Sequence, residues 1–257
     1  MALVTRIHIF RRIYMQFIQA YYGGYYGYGL YFDWTWLLII LGTIICAIAS
    51  AAMNSTASKY SRVRARSGLT GAQAAERILH AAGIYDVQIG RIQGNLTDHY
   101  DPRTKQVNLA DESCDRTSIT GIGVAAHECG HAIQDNIGYL PLRIRSSLVP
   151  VVNIGQNLAW PLFILGLIFS MQPLVTAGIV LFSLAVIFQL VTLPVEIDAS
   201  RRGLRMLQQT GIMASDETDA TRKVLTAAAM TYVAGLAASL LQLLRLIIIA
   251  GQNRRRD

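Results

Sequence analysis

The stretch from residue 146 to residue 195 contains no charged side chain and no histidine. A membrane-crossing helix needs about 20 apolar residues, so this stretch is long enough for two. Met171, Gln172 and Pro173 interrupt it with a turn signal. We therefore predict a transmembrane hairpin over residues 146–193, which returns the chain to the side of the membrane that it left.

Two further apolar runs predict additional membrane helices. Residues 34–53 carry no charge, and we interpret them as an uncleaved anchor. The A-x-A sequence at residues 47–49 resembles a signal-peptidase site, but the preceding chain is longer than an ordinary leader allows. Residues 224–250 contain one charged side chain, Arg245, close to the end of the run. We predict three or four membrane spans in total.

The composition agrees with a membrane protein. Charged residues make up 15% of the chain and the mean hydropathy is +0.36, whereas soluble domains average about 25% charged residues. The formal net charge is +7, but the basic residues lie mainly beside apolar runs, where such residues contact anionic headgroups. We therefore predict a mainly α membrane protein with the lipid bilayer as a partner and without a nucleic-acid partner.

An H-E-x-x-H sequence at residues 127–131 predicts a zinc site with a general base beside it. On a helix, His127 and His131 lie one turn apart on the same face, where two imidazoles can bind one Zn²⁺ at about 2.0–2.1 Å. Glu128 is rotated about 100° from His127, which suits a general base for the attacking water. Cys129 points in another direction, and we interpret it as a packing residue.

The surrounding sequence predicts a compact α+β, zincin-like catalytic domain over residues 54–145. An edge strand of its small sheet could pair with an extended peptide substrate. We predict a helix over residues 72–82, capped by Thr70, and a strand over residues 87–92. A hairpin follows, whose strands 96–100 and 106–110 flank a turn at Asp101 and Pro102. The motif helix comes last, with Asp115, Thr117 or Ser118 as its cap.

Three other segments complete the predicted organisation. Residues 1–33 read as an N-terminal arm, and residues 251–257 as a basic tail. Over residues 194–223 we predict a helix that Pro194 opens. Within this segment the helix continues to Gln209, and an acidic linker that contains Asp216, Glu217 and Asp219 follows it.

A catalytic zinc needs a third protein ligand as well as an open position. Glu196 is the first ionisable residue after the uncharged stretch, on the motif's side of the membrane. Two alternatives remain open. Asp135 follows His131 by four residues, and His99 lies near the hairpin turn, where an ordinary surface residue is the simpler interpretation.

Four segments resemble the predicted neutral zinc metallopeptidases of bacterial membranes, namely LTG at 69–71, LTDHYDP at 96–102, VAAHECGHAIQ at 124–134 and LPVE at 193–196. The similarity extends over about residues 31–250, and the plan is similar to membrane gluzincins of the CAAX-processing and heat-shock types. The resemblance implies that His127, His131 and Glu196 bind zinc and that Glu128 is the base. The heat-shock type often has Asp where this chain has Ser200, which leaves open the group that orients His127.

We predict an integral membrane zinc metalloendopeptidase that acts on peptides or membrane proteins. The alternative is a non-enzymatic membrane scaffold with a structural zinc, although such a site does not need Glu128. A metal transporter is disfavoured because the uncharged stretch lacks ionisable residues. Arg201 and Tyr232 are only guesses for a donor to the oxyanion. The lysine and arginine distribution predicts a multi-pass protein of the cell membrane with a cytoplasmic catalytic site.

Overall fold

The computed structural model describes residues 33–94 and 97–253 of the chain. In chain order, its elements are α1 (Trp36–Ser61), α2 (Gly71–Ala81), β1 (Gln88–Ile92), β2 (His99–Asp101), β3 (Gln106–Ala110), α3 (Asp111–Cys114), α4 (Ile119–Asn136), α5 (Leu140–Ile168), α6 (Gln172–Gln209) and α7 (Ser215–Asn253). The predicted arm over residues 1–33 lies outside the described residues except for its last residue, and so do residues 254–257 of the predicted tail.

Four helices of the described chain are long and apolar enough to cross a membrane, namely α1, α5, α6 and α7. Many of their large apolar side chains are exposed, among them Leu37, Ile154 and Leu190. Such surfaces suit contact with hydrocarbon, which does not penalise exposed apolar groups. The protein is therefore mainly α with candidate membrane spans, as the sequence predicts.

The chain divides into two compact units, which are described separately. Among the described residues, the first unit contains residues 57–136 and 199–225. The second contains residues 33–56, residues 137–198 and the chain from residue 226 onward. The domain boundaries given by the sequence analysis stay predictions.

In the first unit, α2 and α4 pack their apolar faces together, and Ala75, Ile78 and Ile122 are fully buried there. The Thr70 side chain accepts a hydrogen bond from the Gln73 amide, and the Gln73 side chain accepts one from the Thr70 amide. This reciprocal pair is a capping box, which satisfies two backbone donors that a helix start leaves open. The predicted cap is thus confirmed.

The sheet of the first unit has the strand order β1-β3-β2. The predicted hairpin is confirmed, because β2 and β3 are antiparallel and Tyr100 pairs with Val107. Strand β1 is parallel to β3, with Gln88 opposite Gln106. Strand β2 therefore lies at an edge of the sheet.

In the second unit, α5 and α6 follow each other across a short turn at residues 169–171. This confirms two apolar helices separated near Met171. Pro150 and Pro161 lie inside α5, where apolar surroundings favour a helix that satisfies its remaining backbone groups internally.

Two details of the sequence analysis are wrong. Pro194 does not open a helix but lies inside α6, which runs unbroken from Gln172 to Gln209. The predicted acidic linker is helical, with Asp216 and Glu217 in the first turn of α7. Acidic side chains are favoured there because the amino-terminal end of a helix carries partial positive charge.

Candidate metal centre

Helix α4 holds both motif histidines on one face. Its first turn is capped by Ser118, whose Oγ accepts a hydrogen bond from the Gly121 amide at 3.1 Å. The rings of His127 and His131 lie edge to face with their centroids 4.8 Å apart. His131 is buried and His127 is partly buried.

Glu196 supplies a third possible metal donor beside the two histidines. One ligand atom from each of His127, His131 and Glu196 lies within 4.8 Å of the other two. Glu196 is 1% exposed, and it precedes Ser200 by one turn of the continuous helix α6. In that helix, the Ala199 carbonyl lies against Gly130 of the motif, so closely that a Cβ on Gly130 would be 2.2 Å from it.

The donor set fits zinc. Zinc binds imidazole nitrogen and carboxylate oxygen, and its catalytic sites use three protein ligands and one open position. Donors around one tetrahedral zinc lie roughly 3.4 Å apart, given bonds of about 2.1 Å. Three such donor atoms within 4.8 Å of one another could therefore hold one metal ion.

Two neighbouring side chains orient the histidines. His127 Nδ1 lies 3.0 Å from Ser200 Oγ, and His131 Nδ1 lies 3.0 Å from Gln134 Oε1. An imidazole that uses Nδ1 in this way presents Nε2 to a metal, and the contact holds both tautomer and ring plane. From the sequence alone, the partner of His127 stayed open and Gln134 was not identified. Both could have been found from helical spacing, because Ser200 follows Glu196 by four residues and Gln134 follows His131 by three.

Glu128 lies beside the three donors rather than among them. Its Oε2 accepts a hydrogen bond of 3.0 Å from the main-chain amide of Tyr100 in β2. Glu128 is 3% exposed. A buried carboxylate next to, but outside, the ligand set is the arrangement that a general base requires.

Arg145 is a charged neighbour that the sequence analysis counted only for membrane orientation. Its Nη1 lies 3.5 Å from Glu196 Oε1, and its side chain is 16% exposed. Burying a carboxylate is costly unless a charge or a metal compensates it. The guanidinium therefore lies where it can partly compensate the charge of this buried carboxylate.

The sequence profile of the family described as "Putative neutral zinc metallopeptidase" matches residues 35–251. The chain belongs to this family. The family name specifies zinc, and the cluster of His127, His131 and Glu196 could hold it. The chain is also 45% identical over 197 residues to the "Putative membrane protease YugP" of Bacillus subtilis (strain 168), a match that covers 77% of this chain and 88% of that protein. No solved structure matches the chain.

The other candidates for the third ligand of this metallopeptidase have different contacts. The His99 ring nitrogens lie 3.0 Å from the Thr97 carbonyl oxygen and 3.2 Å from Asn108 Nδ2. Asp135 accepts from the phenol of Tyr100 at 2.8 Å and from Lys105 Nζ at 2.7 Å. Neither side chain belongs to the three-donor cluster.

Cys129 packs in the core of the metallopeptidase, as predicted. Its side chain is fully buried, and its Sγ lies 3.6 Å from the Ala75 carbonyl oxygen. Burial raises the pKa of the Cys129 thiol far above its ordinary value, so the thiolate that a metal requires is disfavoured. Of the two guesses for an oxyanion donor, Arg201 is exposed and Tyr232 lies in the second unit.

Replacing Ser200 with Ala should weaken zinc binding by roughly ten-fold. This is the lower end of the loss in metal affinity seen when a hydrogen-bond partner of a metal ligand is removed. The cause is loss of the contact that orients His127. Competition with a chromogenic chelator measures the affinity. Ser183→Ala is the matched control, because this serine of the same helix bonds only the Ile179 carbonyl in the contacts described. Equal affinity in the two variants would contradict the orienting role.

Proposed function

We propose that the protein is a multi-pass membrane zinc endopeptidase of the gluzincin type. His127, His131 and Glu196 bind zinc, and Glu128 is the general base. The observation that carries the proposal is the convergence of three donor atoms within 4.8 Å from two separate helices. Membership in a zinc metallopeptidase family supports the same assignment.

Peptide hydrolysis at this site needs one proton to move twice. When bound, zinc supplies Lewis-acid chemistry, which makes water nucleophilic near neutral pH. Glu128 takes a proton from the attacking water as its oxygen bonds to the peptide carbonyl carbon. Glu128 then gives that proton to the amine nitrogen as the carbon–nitrogen bond breaks. The Tyr100 amide steadies the carboxylate through both transfers.

The substrate that we propose is an extended peptide or an unfolded segment of a membrane protein. Strand β2 lies at the edge of the sheet, and its Tyr100 contacts the base. A peptide that adds along such an edge makes main-chain hydrogen bonds, which do not depend on its sequence. The proposed partners are this substrate and the bilayer, without nucleic acid.

The proposed orientation follows the distribution of basic residues. With four spans, cytoplasmic loops carry the excess of lysine and arginine near span ends. The motif side has Lys59, Arg62, Arg64, Arg66, Arg143, Arg145, Arg201, Arg202, Arg205, Arg222 and Lys223. We therefore infer that the catalytic site faces the cytoplasm and that both termini lie on the other side.

Cys114 provides a test of this orientation. It is the one partly exposed thiol, because Cys46 and Cys129 are buried. Burial raises the pKa of Cys114, so less of this thiol is thiolate near neutral pH and labelling needs a longer reaction time. An impermeant maleimide should label Cys114 only after the cells are permeabilised. Labelling in intact cells would reverse the orientation.

Bound metal and proteolysis, measured together, test the proposed function. The purified full chain in detergent micelles should contain one zinc per molecule and should cleave a fluorescently labelled unfolded protein. A zinc-loaded protein that cleaves neither unfolded proteins nor detergent-solubilised membrane proteins would contradict an endopeptidase.

A further inference from the structure

Tyr100 connects the β2–β3 hairpin to helix α4 at two points. Its main-chain amide donates to Glu128 Oε2 at 3.0 Å, and its phenol donates to Asp135 Oδ2 at 2.8 Å. Glu128 and Asp135 are seven residues apart, which places them about two turns apart on nearly the same side of the helix. One residue of the hairpin therefore binds both turns.

Lys105 binds the same carboxylate from the turn of the hairpin. Its Nζ lies 2.7 Å from Asp135 Oδ2. Its backbone has φ of 51°, a left-handed conformation that is uncommon for residues other than glycine, asparagine and aspartate. Such a conformation persists where surrounding contacts hold it, and the ion pair to Asp135 is one of those contacts.

Asp135 lies in the last turn of α4. The carboxyl-terminal end of a helix carries partial negative charge, so a carboxylate is disfavoured there unless it has partners. Here the phenol of Tyr100 and the ammonium of Lys105 are the two partners. The position of Asp135 is thus explained by the hairpin rather than by its own helix.

Burial shields the Tyr100–Glu128 contact from water, whereas the Asp135 side chain is 25% exposed and that of Lys105 is 40% exposed. Tyr100 is 6% exposed and Glu128 is 3% exposed. The hydrogen bond from the Tyr100 amide to Glu128 therefore competes little with water. A small rotation of the hairpin would therefore move the Tyr100 amide away from Glu128 without any change in the three metal donors.

We propose that Tyr100 is a positioning residue for the catalytic base. Asp135 and Lys105 hold the hairpin through the phenol and the ammonium group, and the hairpin amide in turn holds Glu128 in the orientation for proton transfer. This inference rests on the proposed function, since it assigns a role to Tyr100 only if Glu128 is the base. It assigns a function to the LTDHYDP segment at residues 96–102, which contains Tyr100 but none of the three proposed metal ligands.

The test uses Tyr100→Phe in the full chain, which removes the phenol oxygen and keeps both the ring and the amide. We expect kcat to fall roughly ten-fold, equivalent to about 1.4 kcal/mol of transition-state stabilisation. KM and zinc stoichiometry should stay within about two-fold of wild type, because neither substrate nor metal contacts are removed. Tyr85→Phe is the matched control, since Tyr85 is 75% exposed.

Variants of Asp135 separate positioning from general damage to the fold. Asp135→Asn keeps an acceptor for the phenol and should retain more activity than Asp135→Ala. Tyr100→Phe combined with Asp135→Ala should be no slower than Asp135→Ala alone, because both changes break one contact. An unchanged kcat, a change confined to KM, loss of zinc, or additive effects in the double variant would each overturn the inference.

Glu128→Gln, assayed in parallel, distinguishes failure of the positioning role from failure of the proposed function. If this variant is inactive while Tyr100→Phe has a wild-type kcat, only the positioning role fails. If Glu128→Gln is fully active, the proposed function fails, and the positioning role fails with it.

Discussion

Glu128→Gln is expected to keep its zinc and to lose almost all peptidase activity. The three-donor cluster that could hold zinc does not include Glu128, and glutamine has nearly the same shape, so the metal site should form. A neutral amide cannot take a proton from water. General-base catalysis contributes about 10²–10⁴-fold, and kcat should fall by at least that much. Metal analysis and cleavage of an unfolded protein, on the same preparation, measure both quantities.

Glu76→Gln is the control for this experiment, because Glu76 is an exposed residue of α2. It should behave as wild type in both measurements. Turnover of Glu128→Gln near the wild-type rate would exclude Glu128 as the base. A zinc-loaded wild type as inactive as Glu128→Gln would favour the alternative of a non-enzymatic scaffold with a structural zinc.

Glu196→Ala should lose zinc as well as activity. A catalytic zinc uses three protein ligands, and the H-E-x-x-H motif supplies two of them. Loss of a direct ligand should weaken zinc binding by more than the 10–100-fold that is typical when a hydrogen-bond partner of a ligand is removed. Glu196→Gln is a companion that keeps the buried volume beside Arg145, so a folded protein remains available for metal titration.

Two variants serve as controls for the ligand assignment. His99→Ala and Asp135→Ala should each keep a full equivalent of zinc, because both side chains contact other residues. Full zinc occupancy in Glu196→Ala, together with loss in either control, would contradict the assignment of Glu196 and the gluzincin type with it.

The three residues of the candidate metal site could be located from the sequence because the clues to them are simple. The spacing of His127 and His131 is one helical turn. Counting membrane crossings across residues 146–195 put Glu196 on the motif's side of the membrane, and the family resemblance then favoured it over Asp135 and His99. Neither inference needs knowledge of how side chains pack.

The contacts around those donors could not be inferred in the same way. The donor to Glu128 is the main-chain amide of Tyr100, and an amide has no signature in the sequence. Arg145 was read as one of many basic residues at span ends, although the fold brings it to Glu196. Pro194 was read as a helix start because local propensity disfavours proline inside helices, whereas apolar surroundings favour continuation.

The close contact at Gly130 bears on how such proteins are found in genomes. A search for H-E-x-x-H treats the two middle positions as arbitrary. In this fold, Cys129 fills a closed space against Ala75, and Gly130 leaves no room for a side chain beside the Ala199 carbonyl. A search pattern restricted to a small residue followed by glycine would therefore separate this architecture from the many chance matches to the bare motif.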